Sequence, residues 1–186
     1  MKSMKVNDTI LKLINKFTAK DNVRPVMQSI YYHEGCLIAT DGFTLIQFEA
    51  EYDSNLEGKL IRYNSKFEST ETQGNFPSYK DVMPDTDELN IITGWKRVKS
   101  IVDNNKKLKL SDKKNSVIKI GSLYYPFRRV ENIIDILPYF GTFKTYERDI
   151  EDLFLSLYIE SLEDRSKILM MAVPNNNTDR LTILES

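Results

Sequence analysis

The sequence contains one cysteine, one histidine and no long apolar run, and each shortage closes off a class of protein. With Cys36 alone, no intrachain disulfide can form, and a reducing cytoplasm is the expected compartment. Beside Leu37 and Ile38, Cys36 reads as a small buried core residue. His33 is the only imidazole, and Cys36, three residues on, would point to the opposite face of an alternating strand. His33 therefore reads as a surface turn residue rather than half of a catalytic pair. CxxC, HExxH, GxxxxGK[ST] and GxGxxG are all missing, so no metal, nucleotide or other cofactor is expected. Asp149, Glu151 and Asp152 form the one grouping that resembles catalytic carboxylates, and they read better as a solvated loop between strands. No stretch approaches the roughly 20 apolar residues that cross a bilayer. Met1 to Lys5 leads into polar Asn7-Asp8 instead of the apolar block of a signal peptide. The expectation is a protein that is neither an enzyme nor a membrane protein.

What is present is an ordinary globular balance, 41% hydrophobic and 28% charged over 186 residues. That length can bury one large core or two small ones. The net charge is only −1, so any attraction for nucleic acid must come from local patches. The charges are segregated along the chain. Between Lys96 and Lys114 stand eight basic residues against Asp103 and Asp112, while acids gather at 85–88 and 147–152.

Apolar spacing predicts the elements. Ile10, Leu11, Ile14 and Phe17 recur at helical intervals after Asn7-Asp8, a plausible cap, and Lys12 and Lys16 share the other face. Strands are expected at 26–32, 36–40, 43–49 and 59–63, with turns at His33-Glu34-Gly35 and Asp41-Gly42 and an exposed loop at 69–75. Two prolines around an aromatic at 76–84, then the polar 85–88, place a domain boundary there. The second half repeats the order. A short strand at 88–92 precedes a helix capped by Thr93, with Trp95, Val98, Ile101 and Val102 inward and Lys96, Arg97, Lys99 and Lys107 outward. Residues 106–114 read equally as an exposed basic hairpin. A strand at 116–125, a helix at 128–137 stopped by Pro138, and strands at 143–146, 153–160 and 167–173 follow. Asn175 to Asn177 read as a loop, and 181–184 as a short strand or a frayed end. The fold class is α+β: short helices packed on largely antiparallel sheets.

Three separated segments carry a resemblance. Arg24 to Ile30 followed by Gly35 to Leu45, with Ala39-Thr40-Asp41-Gly42 at its end, resembles the bacterial DNA sliding clamp family (DNA polymerase III beta subunit). Its pattern there is an Arg-Pro strand and then Ala-Thr-Asp-Gly-His-Arg-Leu. Phe76 to Pro84 is similar to that family's Phe-Pro-Asp-Tyr-Arg-Arg-Val-Ile-Pro segment. Leu123 to Leu137, with Leu169 to Pro174, resembles its last helix and closing Met-Pro strand.

The resemblance implies a DNA-clamp-like fold of two abbreviated repeats, residues 1–84 and 85–186, in a homo-oligomeric ring. It implies duplex DNA as a partner, held without sequence preference by Lys12, Lys16, Lys96, Arg97, Lys99 and Lys107. It also implies a groove for peptides of DNA polymerase or other proteins. That groove would be formed by Thr40, Gly42, Phe43, Thr44, Leu45, Pro77, Lys80, Val82, Met171, Val173 and Pro174. Departures from the pattern shape the expectation. Phe43-Thr44 replaces the His-Arg pair, which makes the groove more apolar, and Asn175-Asn176 stands where an Arg-Leu ending is usual. The family's chains hold three clamp domains and this one at most two, with no second helix between Tyr63 and Phe76. A peptide-binding adaptor or decoy that never encircles DNA is therefore the alternative to a DNA tether.

Overall fold

The computed structural model describes residues 4–21, 23–84, 86, 89–148, 155–174 and 181–184. Helix α1 (Asp8–Ile14) opens where expected: the Asn7 side chain accepts the Ile10 N–H at 3.0 Å, satisfying one otherwise orphaned donor. A 3-10 turn over Asn15–Phe17 extends it, burying Ile10, Ile14 and Phe17 along one stripe. Strands β1 (Ser29–His33), β2 (Cys36–Thr40) and β3 (Thr44–Glu49) then run as an antiparallel meander. β4 (Leu60–Tyr63) pairs with β1, and β5 (Ser69–Thr72) pairs with β4.

The second half contributes β6 (Asn90–Ile91), α2 (Trp95–Asn105), α3 (Leu110–Lys114) and the hairpin β7 (Ser116–Ile120) with β8 (Leu123–Pro126). Helix α4 (Phe127–Ile136) follows, then β9 (Phe143–Arg148), β10 (Ser156–Ser161), β11 (Lys167–Met171) and β12 (Thr182–Leu184).

Nine strands make one sheet in the order β5-β4-β1-β2-β3-β11-β10-β9-β6, and β12-β7-β8 make a second. The long sheet is antiparallel at every pairing between the described strands, whereas β12 runs parallel to its neighbour, β7. Its two parts meet at one seam, where β3 pairs with β11 and Leu45 faces Leu169. Both faces of the sheet at β2 are covered, and the period-2 pleat sorts the side chains. Leu37, Ala39, Ile46, Phe48, Ile168 and Met170 face the main core with the helices, while Cys36, Ile38 and Leu45 face the other way. On that outer face Phe76, Tyr79 and Met83 complete a smaller cluster. The proline-bounded 76–84 segment is thus a strap across the sheet. Residues from before and after residue 84 share the main core, and the rings of Phe48 and Phe140 lie 6.0 Å apart.

Polar groups lock the seam from its end. The Glu49 carboxylate accepts from the Arg165 side chain at 3.0 Å and its backbone N–H at 2.7 Å, and Gln47 donates to the Arg165 carbonyl. The Arg165 hydrogen bond holds the Glu49 carboxyl below the usual glutamate range. A carboxyl depressed in the folded state stabilises the fold above its unfolded value of about 4.3, and the contribution fades as pH falls through the lower folded value. Glu49→Gln is therefore expected to lower stability at pH 7 and to flatten the loss of stability between about pH 5 and 3. Urea unfolding at stepped pH reads both effects, and an unchanged acid limb would contradict this role.

Several local expectations need correction. Residues 69–72 form the exposed edge strand β5 instead of a loop, because an edge needs partners on one side only. Pro25 begins a 3-10 turn over Pro25–Gln28 and delays the strand to Ser29; its fixed φ suits a first helical turn as well as a strand end. Gly94, at φ +112°, rather than Thr93 occupies the cap position of α2. The expected strand at 116–125 is a hairpin folded at Gly121-Ser122, where Gly121 takes φ +61°. Residues 106–114 are not a basic hairpin: Lys106 caps the end of α2, and Leu110 to Lys114 form the short helix α3. Asp85, Glu88, 149–152 and 175–177 lie outside the described residues.

Candidate functional site

The turn between β2 and β3 is where chemistry gathers. Asp41 Oδ1 accepts the backbone N–H groups of Phe43 (2.9 Å) and Thr44 (2.7 Å), and Thr40 Oγ1 accepts that of Gly42. Gly42 stands at φ +86°, and a Cβ there would also meet Arg24 Nη1 at 3.0 Å. The positive φ is what favours glycine, since the arginine tip can shift to make room. The other Asp41 oxygen accepts from Arg129 Nε at 3.0 Å, and the same guanidinium lies over the Phe43 ring at 4.7 Å. Such stacking stabilises by about 0.5–2 kcal/mol. It holds Phe43 in place although the residue stays 58% exposed.

On the outer face of the sheet this turn borders a groove of about 640 Å³. Thr40, Gly42, Phe43, Thr44, Leu45, Pro77, Val82 and Met171, each named from the sequence, line it together. Their segments come from the meander, the strap and the last long strand, and the seam brings them side by side. Three others do not line it. Lys80 turns to Glu34, with its ammonium 2.6 Å from that carboxylate. Val173 gives its N–H to the Tyr124 carbonyl, which draws the chain after β11 toward β8, and Pro174 follows it. Sequence reasoning missed Arg24, Met27, Phe76, Tyr79, Met83 and Leu169 in the wall. Leu169 was legible as the residue two before Met171 on one strand. Val82 is half exposed, an apolar side chain left facing water.

On the helical side lies a second concavity of about 870 Å³. Seven cationic side chains line it (Lys12, Lys16, Lys20, Lys113, Lys114, Arg128 and Arg129) against Asp21, Asp41 and Glu131. Of the cations named from the sequence, Lys12 and Lys16 lie here. Lys96, Arg97, Lys99 and Lys107 are exposed on and just after α2, outside this cleft. Helix α4 joins the two sets, since both α1 and α2 pack against it. Its first turn supplies Arg128 and Arg129, which the sequence reading passed over; the paired arginines opening a helix were the available signal. Some of the cations are already matched: Lys16 with Asp135 (2.7 Å), Lys113 with Glu131 (2.6 Å) and Lys99 with Asp103 (2.6 Å). Burial, and then the neighbouring Arg128, push the Lys20 ammonium down from its ordinary value, while Asp41 pulls it up. His33 stands at the end of β1 stacked on Tyr31 at 5.0 Å, with Glu57 3.3 Å away. Among the described residues no grouping of His, Cys, Asp and Glu could hold a metal ion, and no helix is long and apolar enough to cross a membrane.

The groove and the basic helices lie on the two faces of one antiparallel sheet. The chain has the fold of the bacterial DNA sliding clamps. A DNA polymerase sliding clamp from Pseudomonas aeruginosa matches at a TM-score of 0.54 and 15% identity over 89% of this chain and 63% of that one. A putative DNA polymerase III beta subunit from Eubacterium rectale matches at 0.55 and 15% identity over 95% of this chain and 66% of that one. The chain thus spans about two thirds of the length of either structure. No protein-family model matches the sequence, and no curated protein does either.

Proposed function

We propose that this protein is a clamp-like tether: it binds duplex DNA without sequence preference through its basic helices and holds partner proteins by a short peptide in the outer groove. The observation carrying this reading is the placement of the two features on opposite faces of one sheet. A partner in the groove would leave the exposed cations of α2 free for DNA. Its build supports two abbreviated repeats, 1–84 and 85–186. Helix α1 leads into the meander β1-β2-β3, helix α4 leads into β9-β10-β11, and the third strands pair at the seam. In this reading several copies close a ring around the duplex, and a DNA polymerase is among the proteins that dock. The groove suits an apolar anchor because small and apolar residues from separate segments converge there.

A labelled synthetic peptide with a central Leu-Ile-Phe triplet tests the groove by fluorescence anisotropy. Val82→Glu and Met171→Glu are expected to weaken its binding at least about tenfold, since each puts a charge on an apolar wall. Thermal unfolding should move little for Val82→Glu, whose side chain is half exposed. Binding unaffected by both changes would remove the groove from the account. A second reading, carried by the groove alone, is an adaptor that holds partners without encircling DNA. That reading predicts peptide binding by a monomer with no hold on duplex DNA.

A further inference from the structure

Phe43 lines both concavities, the apolar groove on the outer face and the basic cleft on the helical side. The turn that carries it is the rim over which one passes into the other. We propose that the segment seated in the groove carries acidic residues on one flank, and that these cross the Phe43 rim to sit among the cations of the cleft. This rests on the groove being a peptide site and adds the chemistry of the partner.

The charge pattern favours such an occupant. Asp41, in the rim turn, is already matched by Arg129, and Glu131 by Lys113. The third carboxylate of the cleft, Asp21, accepts the Val23 N–H, so that seven cations face three acids. Among the described residues Lys20 donates to neutral acceptors, the Asn15 carbonyl at 2.6 Å and the Thr18 hydroxyl at 2.9 Å, with Asp41 attracting it from farther off. Among the described residues, Lys20, Lys114 and Arg128 have no carboxylate partner, although all three line one cleft. The like charges of Lys20 and Arg128 repel, and a carboxylate between them relieves that repulsion. Duplex DNA meets a protein through outward-reaching side chains along a broad surface. A flexible peptide seated in the groove can instead follow the Phe43 rim to the three cations, which are exposed at the mouth of the cleft and within its reach.

Three labelled peptides test this: the Leu-Ile-Phe triplet flanked by four serines, by four glutamates on its N-terminal side, or by four glutamates on its C-terminal side. One glutamate-flanked peptide is expected to bind about tenfold tighter than the serine-flanked one at low salt, and the gain should shrink as salt screens it. Lys20→Gln with Arg128→Gln should abolish the gain and leave the serine-flanked peptide unchanged. Equal binding of all three peptides, or a gain that survives the double substitution, would overturn the acidic flank while leaving the groove in place. Loss of duplex affinity in the double variant with the peptide gain intact would make the cleft a nucleic-acid surface and also overturn it. Failure of every peptide to bind would remove the groove and this inference together.

Discussion

Replacing Lys12, Lys96 and Arg97 by glutamate is expected to weaken duplex DNA binding sharply and to reduce the slope of log affinity against log salt by about 0.9 for each phosphate no longer neutralised. The three are exposed on α1 and α2 and have no carboxylate partner among the described residues. Lys12 rests with its ammonium 5.3 Å from the Phe67 ring centre, an interaction that leaves the charge free for a phosphate. Lys16 and Lys99 were equal candidates from the sequence, yet each has an acid within 2.7 Å, Asp135 and Asp103 respectively. Each must give up that partner to reach DNA, so their substitutions should cost less. Titrating a labelled duplex at several salt concentrations ranks the variants. Equal slopes for the wild type and the triple variant would mean that these helices do not face nucleic acid.

The second large effect concerns the core that holds the two faces together. Phe140→Ala is expected to destabilise the protein by about 3–5 kcal/mol, the range for deleting a buried aromatic. The side chain is fully buried, and its ring lies 6.0 Å from Phe48 on the other side of the chain's midpoint. For a chain of this length such a loss lowers the melting temperature by roughly 6–20 °C. Because the same core draws on both halves, the far-ultraviolet and tyrosine signals should still move together. A loss under about 1 kcal/mol, or two separated transitions, would show that the halves fold independently.

Local pattern made much of this fold legible. The spacing of Val130, Ile133, Ile134 and Leu137 located α4, and the β-rich runs on either side of Asp41-Gly42 located β2 and β3. Asp41-Gly42 was readable as a tight turn because the required φ admits little but glycine. The seam was not readable. Leu45 and Leu169 pair across most of the chain, and strand pattern fixes which face is buried without fixing which edges meet. The resemblance supplied that juxtaposition for the groove, naming Leu45 and Met171 together before any geometry did. It misplaced Lys80, whose charge found Glu34, and Val173, whose backbone found β8. The basic cleft escaped for a related reason. Lys20, Lys113 and Arg128 come from three elements, and no window of the sequence holds them together.

Retention on DNA of different topology tests the tether most directly. The protein is loaded on a nicked circular duplex and on the same duplex linearised, and both are washed at raised salt. Encirclement predicts that the protein stays on the circle and is lost from the linear form, whose open ends let a ring slide off. Equal loss from both forms, with the peptide still bound in the groove, would contradict encirclement and leave an adaptor that grips partners alone.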